Sequence, residues 1–245
     1  MADERLRFST EILARLGEEL NPHPDLGLLE LAKNAFDADA TEFTVELVDT
    51  GRPGGTIRIS DNGLGMDRES LRDGFLLLGT SLKERSKPTA LGRVQVGNKG
   101  LGRLAALRLG DRAIVTTRPA NGVNTELTLE LDWEAYRHAK TVDEVSVPIK
   151  RRPRPDGAEN GTRIELRNLC TQLSRHCAVG LPSAAPGHLM AIRAAGRSKH
   201  KCCAGTIVIA LGAGGSVSVA PSEAEHREFI RSSADSALCS FEQEP

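Results

Sequence analysis

No part of the sequence approaches the roughly 18 consecutive apolar residues that a membrane-spanning helix needs, and the first ten residues, MADERLRFST, are charged from the start. These two features argue against a membrane span and against a secretory signal peptide. The chain also lacks a net charge of either sign, because 32 basic residues are balanced by 33 acidic ones. Such a balance does not indicate a surface for nucleic acid or for a membrane. We therefore expect a cytoplasmic protein without a membrane partner.

Cysteine is scarce, and its spacing matches no zinc-binding pattern. The five cysteines all follow residue 169. Cys177 beside His176, and Cys202–Cys203 near His200, leave a metal site open as an alternative, but reduced thiols of no special role explain them better. The pattern G-x-x-x-x-G-K-[ST] is absent as well, which excludes the common phosphate-binding loop.

One segment, LLELAKNAFDADAT at residues 28–41, places three polar residues on a single stripe of a predicted helix. Glu30, Asn34 and Asp37 are spaced i, i+4 and i+7, and apolar residues cover most of the remaining surface. Such a helix is expected to be buried around its polar stripe. Because buried carboxylates and amides are costly unless they are satisfied, the pattern predicts a polar partner for the stripe.

The remaining pattern predicts helices early in the chain and strands late. Helices are expected at residues 9–20, 25–40, 67–79 and 100–110, and strands at 42–50, 56–60, 111–118, 124–131, 142–149 and 161–167. Residues 80–98 are polar and basic without a period, as is typical of a mobile connection. This order indicates an α+β protein, a two-layer α/β sandwich whose mixed, mostly antiparallel sheet is covered on one face by helices.

A second motif, DNGLGM at residues 61–66, directly follows a predicted strand. Asp61 at the strand end can accept a hydrogen bond from a donor such as the amino group of a purine. Gly63 and Gly65 let such a ligand approach without a Cβ in the way. Taken alone, the motif is more often an ordinary Asp-Asn-Gly turn.

A third motif, GNKGLGR at residues 97–103, opens a predicted helix. Successive backbone amides at a helix N-terminus, with Lys99 and Arg103 nearby, suit an anion such as phosphate. A glycine-rich helix start without a ligand is an equally good interpretation of this segment alone. The weak dinucleotide pattern that it contains does not lie in a βαβ context.

Taken together and in order, the motifs resemble the ATP-binding domain shared by DNA gyrase B, the related heat-shock chaperones, sensor histidine kinases and MutL, the GHKL superfamily. The order is Glu-x₃-Asn-x₂-Asp on a helix, Asp-x-Gly-x-Gly after a strand, a basic loop, Gly-x-x-Gly-x-Gly opening a helix, and Gly161-Thr162 on a strand. The resemblance covers residues 10–169, about two-thirds of the chain. Within the superfamily, ELAKNAFDADAT and GNKGLGR are most similar to bacterial stand-alone ATP-binding proteins.

The resemblance implies the Bergerat-type fold and a site for ATP and Mg²⁺. It makes Glu30 the general base that polarises the attacking water and Asn34 the ligand of the metal. It makes Asp61, helped by Thr162, the acceptor of the adenine amino group. The nucleotide-binding residues that it implies are Asn34, Asp37, Asp61, Gly63, Gly65, Met66, Thr80, Gly97, Lys99, Gly100, Gly102 and Thr162.

The resemblance also implies that the loop at residues 80–98 closes over the phosphates as a lid, so that Mg-dependent ATP binding and slow hydrolysis drive a conformational switch. Two alternatives stay open. A module that binds adenine nucleotide without turnover is favoured by the lack of a recognisable second domain. A histidine-kinase catalytic domain is the weaker alternative, because Glu30 points to hydrolysis and His23, in the turn-like NPHPD, is a poor phospho-acceptor.

Residues 1–169 are therefore expected to form the ATP-binding domain, and residues 170–245 an atypical C-terminal tail. The tail is rich in alanine and serine, and it fits either a small appended hairpin around residues 206–220 or poorly ordered chain. Its abrupt change in composition also predicts a truncated or out-of-frame terminus. ATP or ADP is the expected small-molecule partner. A homodimer or a protein client is the expected macromolecular partner, and the charge balance does not indicate nucleic acid.

Overall fold

The structure is a computed structural model that describes residues 6–20, 24–78, 88–95, 102–170, 205–210 and 219–220. In chain order its elements are α1 (Glu11–Leu20), α2 (Pro24–Asp37), β1 (Glu42–Val48), β2 (Thr56–Asp61), a π-helix (Ser70–Leu76), α3 (Gly102–Leu107), β3 (Gly110–Arg118), β4 (Glu126–Asp132), α4 (Trp133–His138), a 3₁₀-helix (Val142–Glu144), β5 (Lys150–Arg152), β6 (Gly161–Leu169), β7 (Gly205–Ala210) and β8 (Val219–Ala220). No helix in the described ranges is long and apolar enough to cross a membrane.

The strands of the described ranges form one sheet in the order β5-β4-β3-β6-β2-β1-β7-β8. Every pairing described between them is antiparallel, so the expected α+β architecture is confirmed. Central strand β6 lies between β2 and β3, although it follows both in the chain. This order brings the ends of three strands that are distant in sequence to one place.

The two faces of the sheet differ in chemistry because side chains alternate along each strand. One face carries the buried apolar residues, and α2 and α3 contribute the opposing half of this core through residues such as Leu28, Ala32 and Leu104. The other face carries charged residues that pair across strands. Arg58, for example, lies 3.3 Å from Glu46 and 3.8 Å from Glu165.

Helix α2 ends three residues earlier than its apolar pattern predicts. Asp39 has a φ of 58°, in the left-handed region, and the Ala40 N–H donates to the Ala35 carbonyl at 3.0 Å. This reversal closes the helix in the way that left-handed C-terminal caps do. It turns the chain directly into β1.

The prediction of a strand at residues 142–149 was wrong. The Glu144 N–H donates to the Thr141 carbonyl at 3.2 Å, which closes a short 3₁₀-helix at Val142–Glu144. The Glu144 carboxylate also accepts hydrogen bonds from the Lys140 N–H at 2.9 Å and from the Thr141 hydroxyl at 3.0 Å. Pro148 then lacks the N–H that a sheet ladder needs. The strand begins only at Lys150 and is three residues long.

Part of the segment after residue 169 joins the same sheet. Strand β7 pairs antiparallel with β1, with Phe43 opposite Ile209, and β8 pairs with β7. The domain boundary at residue 169 stays a prediction, and most of the segment that follows it lies outside the described residues.

Candidate functional site

Asp61 lies at the end of β2 with its two carboxylate oxygens in different environments. Oδ1 accepts hydrogen bonds from the Gly63 N–H at 2.9 Å and the Thr162 N–H at 3.3 Å. Within the described part of the chain, no group donates to Oδ2. Burial raises the pKa of Asp61 to about 6, although the two backbone N–H groups act in the opposite direction. Asp61 is therefore a fixed, partly desolvated acceptor with one oxygen available to a ligand.

The glycines beside Asp61 are required by close backbone contacts. Gly65 has a φ of 62°, and a Cβ there would lie 2.0 Å from the Arg118 carbonyl oxygen. A Cβ on Gly63 would lie 2.7 Å from the Ala38 carbonyl oxygen, just after α2. The loop that follows β2 thus packs between the end of β3 and the end of α2, which brings the Asp61 motif to the C-terminal end of the striped helix.

Asp61 belongs to a row of polar side chains that crosses three neighbouring strands. The register places Asp61 opposite Thr162 and Thr162 opposite Thr117, all on the helix-covered face. The Thr117 side chain is fully buried, and its Oγ1 lies 3.3 Å from the Thr162 Oγ1. It also accepts the Met66 N–H at 2.8 Å. The expected proximity of Asp61, Met66 and Thr162 is therefore present, and Thr117 is an addition that the motifs did not reveal.

Two asparagines hold the loop that carries Gly63. The Asn62 Oδ1 accepts the N–H groups of Thr41 and Glu42 at 2.8 and 2.9 Å, which ties the loop to the start of β1. The Asn160 side chain donates to the Gly63 carbonyl oxygen at 2.6 Å, which ties it to the segment before β6. Sequence reasoning missed Asn160. Its only signal was a position directly before Gly161-Thr162.

The polar stripe of α2 lies where its spacing predicted, with burial increasing toward the C-terminal end. Glu30 and Asn34 are half-buried, and Asp37, the last residue of the helix, is 9% exposed. Lys33 donates to the Glu30 Oε1 at 2.7 Å. Among the described residues, the Asn34 side chain makes no hydrogen bond. The stripe therefore presents one carboxylate oxygen of Glu30 and the whole Asn34 amide to a ligand.

Arg93 fastens the segment before the glycine-rich motif to the end of α2. Its buried guanidinium donates to the carbonyl oxygens of Phe36 at 3.1 Å and Ala40 at 2.7 Å, and it stacks 4.5 Å from the centre of the Phe36 ring. The Phe36 carbonyl, in the last turn of α2, also accepts the Asp39 N–H at 3.1 Å, and a cation is favoured at such a helix C-terminus. Sequence reasoning placed this arginine in a loose basic loop and missed its role.

Arg103, the last residue of the glycine-rich motif, also donates to a backbone carbonyl that is distant in the sequence. Its Nη2 donates to the Leu77 carbonyl at 2.9 Å, and its guanidinium lies 5.3 Å from the centre of the Phe75 ring. Burial lowers the pKa of Arg103 to about 10, so the side chain remains charged at neutral pH. Residues 77 and 103, which flank the predicted lid, are therefore bridged directly.

The remaining predicted nucleotide-binding residues belong to the loop after the π-helix and to the glycine-rich motif. Thr80, Gly97, Lys99 and Gly100 lie outside the described residues, and Gly102 is the first residue of α3. Among the described residues, no cluster of three or more His, Cys, Asp or Glu side chains could hold a metal ion by itself. The site thus offers a hydrogen-bond acceptor and hydroxyls at one end, and an amide and a carboxylate at the other.

Comparison with known proteins gives a consistent result. Residues 24–157 match the model of the family described as histidine kinase-, DNA gyrase B-, and HSP90-like ATPase. The chain is 32% identical over 151 residues to the DNA mismatch repair protein MutL of Azorhizobium caulinodans, covering 62% of this chain and 21% of MutL. It is 33% identical over 120 residues to the chaperone protein HtpG of Rhodopseudomonas palustris, covering 46% of this chain and 18% of HtpG.

A third relative, from Herpetosiphon aurantiacus, is provisionally named type II restriction enzyme HgiDII. It is 28% identical over 188 residues, covering 70% of this chain and 30% of that protein. The chain thus spans less than a third of the length of each of these three relatives.

Proposed function

Because the chain belongs to the histidine kinase-, DNA gyrase B- and HSP90-like ATPase family, a membership that implies ATP binding, we propose that it hydrolyses Mg·ATP slowly and that closure of its loop over the phosphates acts as a conformational switch. The adenine amino group is bound by Asp61 Oδ2, with Thr162 beside it. The β2 loop at Gly63, Gly65 and Met66 forms the wall against the base, and Asp37 lines the pocket.

The observation that carries the hydrolysis proposal is the position of Glu30. It lies one helical turn before Asn34 on the same stripe of α2, and Lys33 holds only one of its carboxylate oxygens. The second oxygen is available to accept a proton from water, which is the task of a general base.

The donor set of α2 fits Mg²⁺ bound together with phosphates. Mg²⁺ prefers oxygen ligands, keeps several waters, and usually takes one or two protein oxygens beside those of the substrate. The Asn34 amide oxygen has no hydrogen-bond partner among the described residues and is the group that would hold the ion. When bound, Mg²⁺ neutralises phosphate charge, whereas Glu30 orients the water and accepts its proton.

Two arginine contacts support the proposed lid at residues 80–98. Arg103 bridges the residues that flank it through the Leu77 carbonyl, and Arg93, within it, donates to the Phe36 and Ala40 carbonyls. A lid anchored at these points would be suited to report whether phosphates are bound. The nucleotide contacts of Thr80, Gly97, Lys99, Gly100 and Gly102 are part of this proposal.

Phosphate release from Mg·ATP by the whole chain, compared with its Glu30→Ala and Glu30→Gln variants, tests the proposal. We expect both variants to release phosphate about 100-fold more slowly or not at all, since general base catalysis contributes at least that much. Their ATP affinity stays within about twofold of the wild-type value, because the base contacts water rather than the nucleotide. Glu11→Ala, which changes an exposed glutamate of α1, is the matched control and keeps the full rate.

Retained turnover in both Glu30 variants would contradict the assignment of the base. A wild-type chain that binds ATP but releases no phosphate would contradict hydrolysis and support the module that binds nucleotide without turnover. A cytoplasmic location, and a homodimer or protein client as the recipient of the switch, complete the proposal and rest on the sequence and on the family alone.

A further inference from the structure

The Thr117 hydroxyl is fully buried and has three polar neighbours. It accepts the Met66 N–H at 2.8 Å, and it lies 3.3 Å from both the Gly161 carbonyl oxygen and the Thr162 hydroxyl. The other inward residues of β3 at this level of the core are Ala113 and Val115, both fully buried. A valine would therefore match the apolar surroundings, and a buried hydroxyl is costly unless its hydrogen bonds are used.

The count of donors and acceptors limits what this hydroxyl can do. A threonine hydroxyl has one hydrogen and two acceptor lone pairs. The Met66 N–H takes one lone pair, so Thr117 can still donate once, either to the Gly161 carbonyl or to the Thr162 hydroxyl. Which of these two acceptors receives the Thr117 hydrogen decides whether the Thr162 hydroxyl can donate to a ligand. When Thr117 donates to Thr162, the hydrogen of Thr162 is left for a group outside the protein.

Asp61 supplies the other half of a base-reading pair. Its Oδ1 is occupied by two backbone N–H groups, so Oδ2 is the oxygen left to accept. An acceptor at Asp61 beside a donor at Thr162 matches an amino group beside an unprotonated ring nitrogen, which is the edge that adenine presents. A 6-oxopurine presents the reverse, a carbonyl beside a ring N–H. A site built to hydrogen-bond one pattern rejects the other strongly.

Building on the proposed function, we propose that Thr117 is a specificity-determining residue for the purine base, and that it acts by donating to Thr162 and so leaving the Thr162 hydrogen for the adenine ring nitrogen. Thr117 itself touches no nucleotide and is a positioning residue. The Thr162 hydroxyl reaches the ring directly or through one water.

The test is calorimetric titration of the whole chain with ATP and with ITP, which share a triphosphate but present opposite base edges. The measured quantity is the ratio of the two dissociation constants, ITP over ATP, in the wild type and in Thr117→Val, Thr117→Ser and Thr162→Val. We expect Thr117→Val to lower this ratio about fivefold, the worth of one ordinary hydrogen bond. Thr117→Ser retains the ratio because it retains the hydroxyl.

The combination of variants separates positioning from packing. Thr162→Val is expected to lower the ratio as much as Thr117→Val does, and the double variant no further, because the two hydroxyls act in one chain. If Thr117→Val does not fold, Thr117→Cys, whose thiol is a weak donor of similar size, replaces it in the same comparison.

Each outcome bears on a different claim. If Thr117→Val, or Thr117→Cys in its place, weakens ATP and ITP by the same factor, Thr117 only supports the Met66 loop and the inference is overturned, whereas ATP binding stands. If the folded wild-type chain binds neither nucleotide, the proposed function fails and the inference fails with it. A lowered ratio with rescue by Thr117→Ser supports the inference.

Discussion

The two ends of the candidate site differ in how far the protein itself satisfies their polar groups. At the base end, Asp61 Oδ1, Thr117 and Asn160 are all engaged by groups from other elements, at distances of 2.6–3.3 Å. At the end proposed for the phosphates, the described residues give Glu30 one partner, Lys33 on its own helix, and give the Asn34 side chain no hydrogen bond.

This difference separates groups that are fixed before binding from groups that depend on the ligand. A base edge is recognised by a small number of hydrogen bonds whose directions must be held, and an acceptor and hydroxyls fixed in the sheet would suit that proposed task. In the proposed function, phosphates and Mg²⁺ would bring their own charge and ligands. The α2 stripe would then need only to present oxygens of the right kind, from half-buried positions on one helix.

The largest effect is expected where the base end is held by backbone contact. Gly65→Ala places a Cβ 2.0 Å from the Arg118 carbonyl oxygen at a φ of 62°, so β3 or the loop must move. We expect the free energy of unfolding, measured by urea denaturation, to fall by about 3 kcal/mol or more, with loss of ATP binding.

Gly122→Ala is the matched control for this change. Gly122 has a φ of 79°, but no described atom beyond its chain neighbours lies within 4 Å of the position of a Cβ there. It therefore carries the backbone strain without the steric clash, and we expect a loss of about 1–2 kcal/mol with ATP binding retained. Equal losses in the two variants would show that Gly65 is required for its conformation alone.

A second prediction uses the raised pKa of Asp61, about 6, which results mainly from burial. Above this pH the group is a carboxylate and can only accept, whereas below it the neutral acid can donate to the oxygen of a 6-oxopurine. The preference for ATP over ITP is therefore greatest above pH 7 and falls by about tenfold between pH 6 and pH 5. Because ATP and ITP carry the same triphosphate, its titration changes both affinities equally and cancels in the ratio of their dissociation constants. If this ratio does not change from pH 5 to pH 8, the role of Asp61 is contradicted.

The sequence was a good guide wherever a feature depends on local spacing. The i, i+4, i+7 stripe of α2 followed from spacing, whereas the proximity of Asp61 to Thr162, which are 101 positions apart, followed from the family resemblance. Thr117, Asn160 and Arg93 did not, because their contacts join residues 44 to 97 positions apart through sheet register and a helix end. Three valines within residues 142–147 favoured a strand, but hydrogen bonds to Glu144 from neighbouring residues hold a different local structure.

The smallest effect on the fold is expected at the phosphate end. Asn34→Ala removes a half-buried amide without a described partner, so the free energy of unfolding changes by about 0.5 kcal/mol or less. If the amide holds the metal as proposed, affinity for ATP falls about tenfold in the presence of Mg²⁺ and stays unchanged in EDTA. The ITP over ATP ratio stays at its wild-type value. A change in that ratio would show that the two ends are not separable.

The most direct test of the central claim, that Asp61 forms the adenine site, is calorimetric titration of ATP into the whole chain and its Asp61→Asn variant. The amide keeps an oxygen for the Gly63 and Thr162 N–H groups and removes a buried charge, so we expect a fold at least as stable as the wild type at pH 7. The amide NH₂ then takes the place of Oδ2, so a donor faces the adenine amino group and the negative charge that would bind this group is lost. The account predicts an ATP affinity at least about 30-fold weaker than that of the wild type; an unchanged affinity in the folded variant would contradict it.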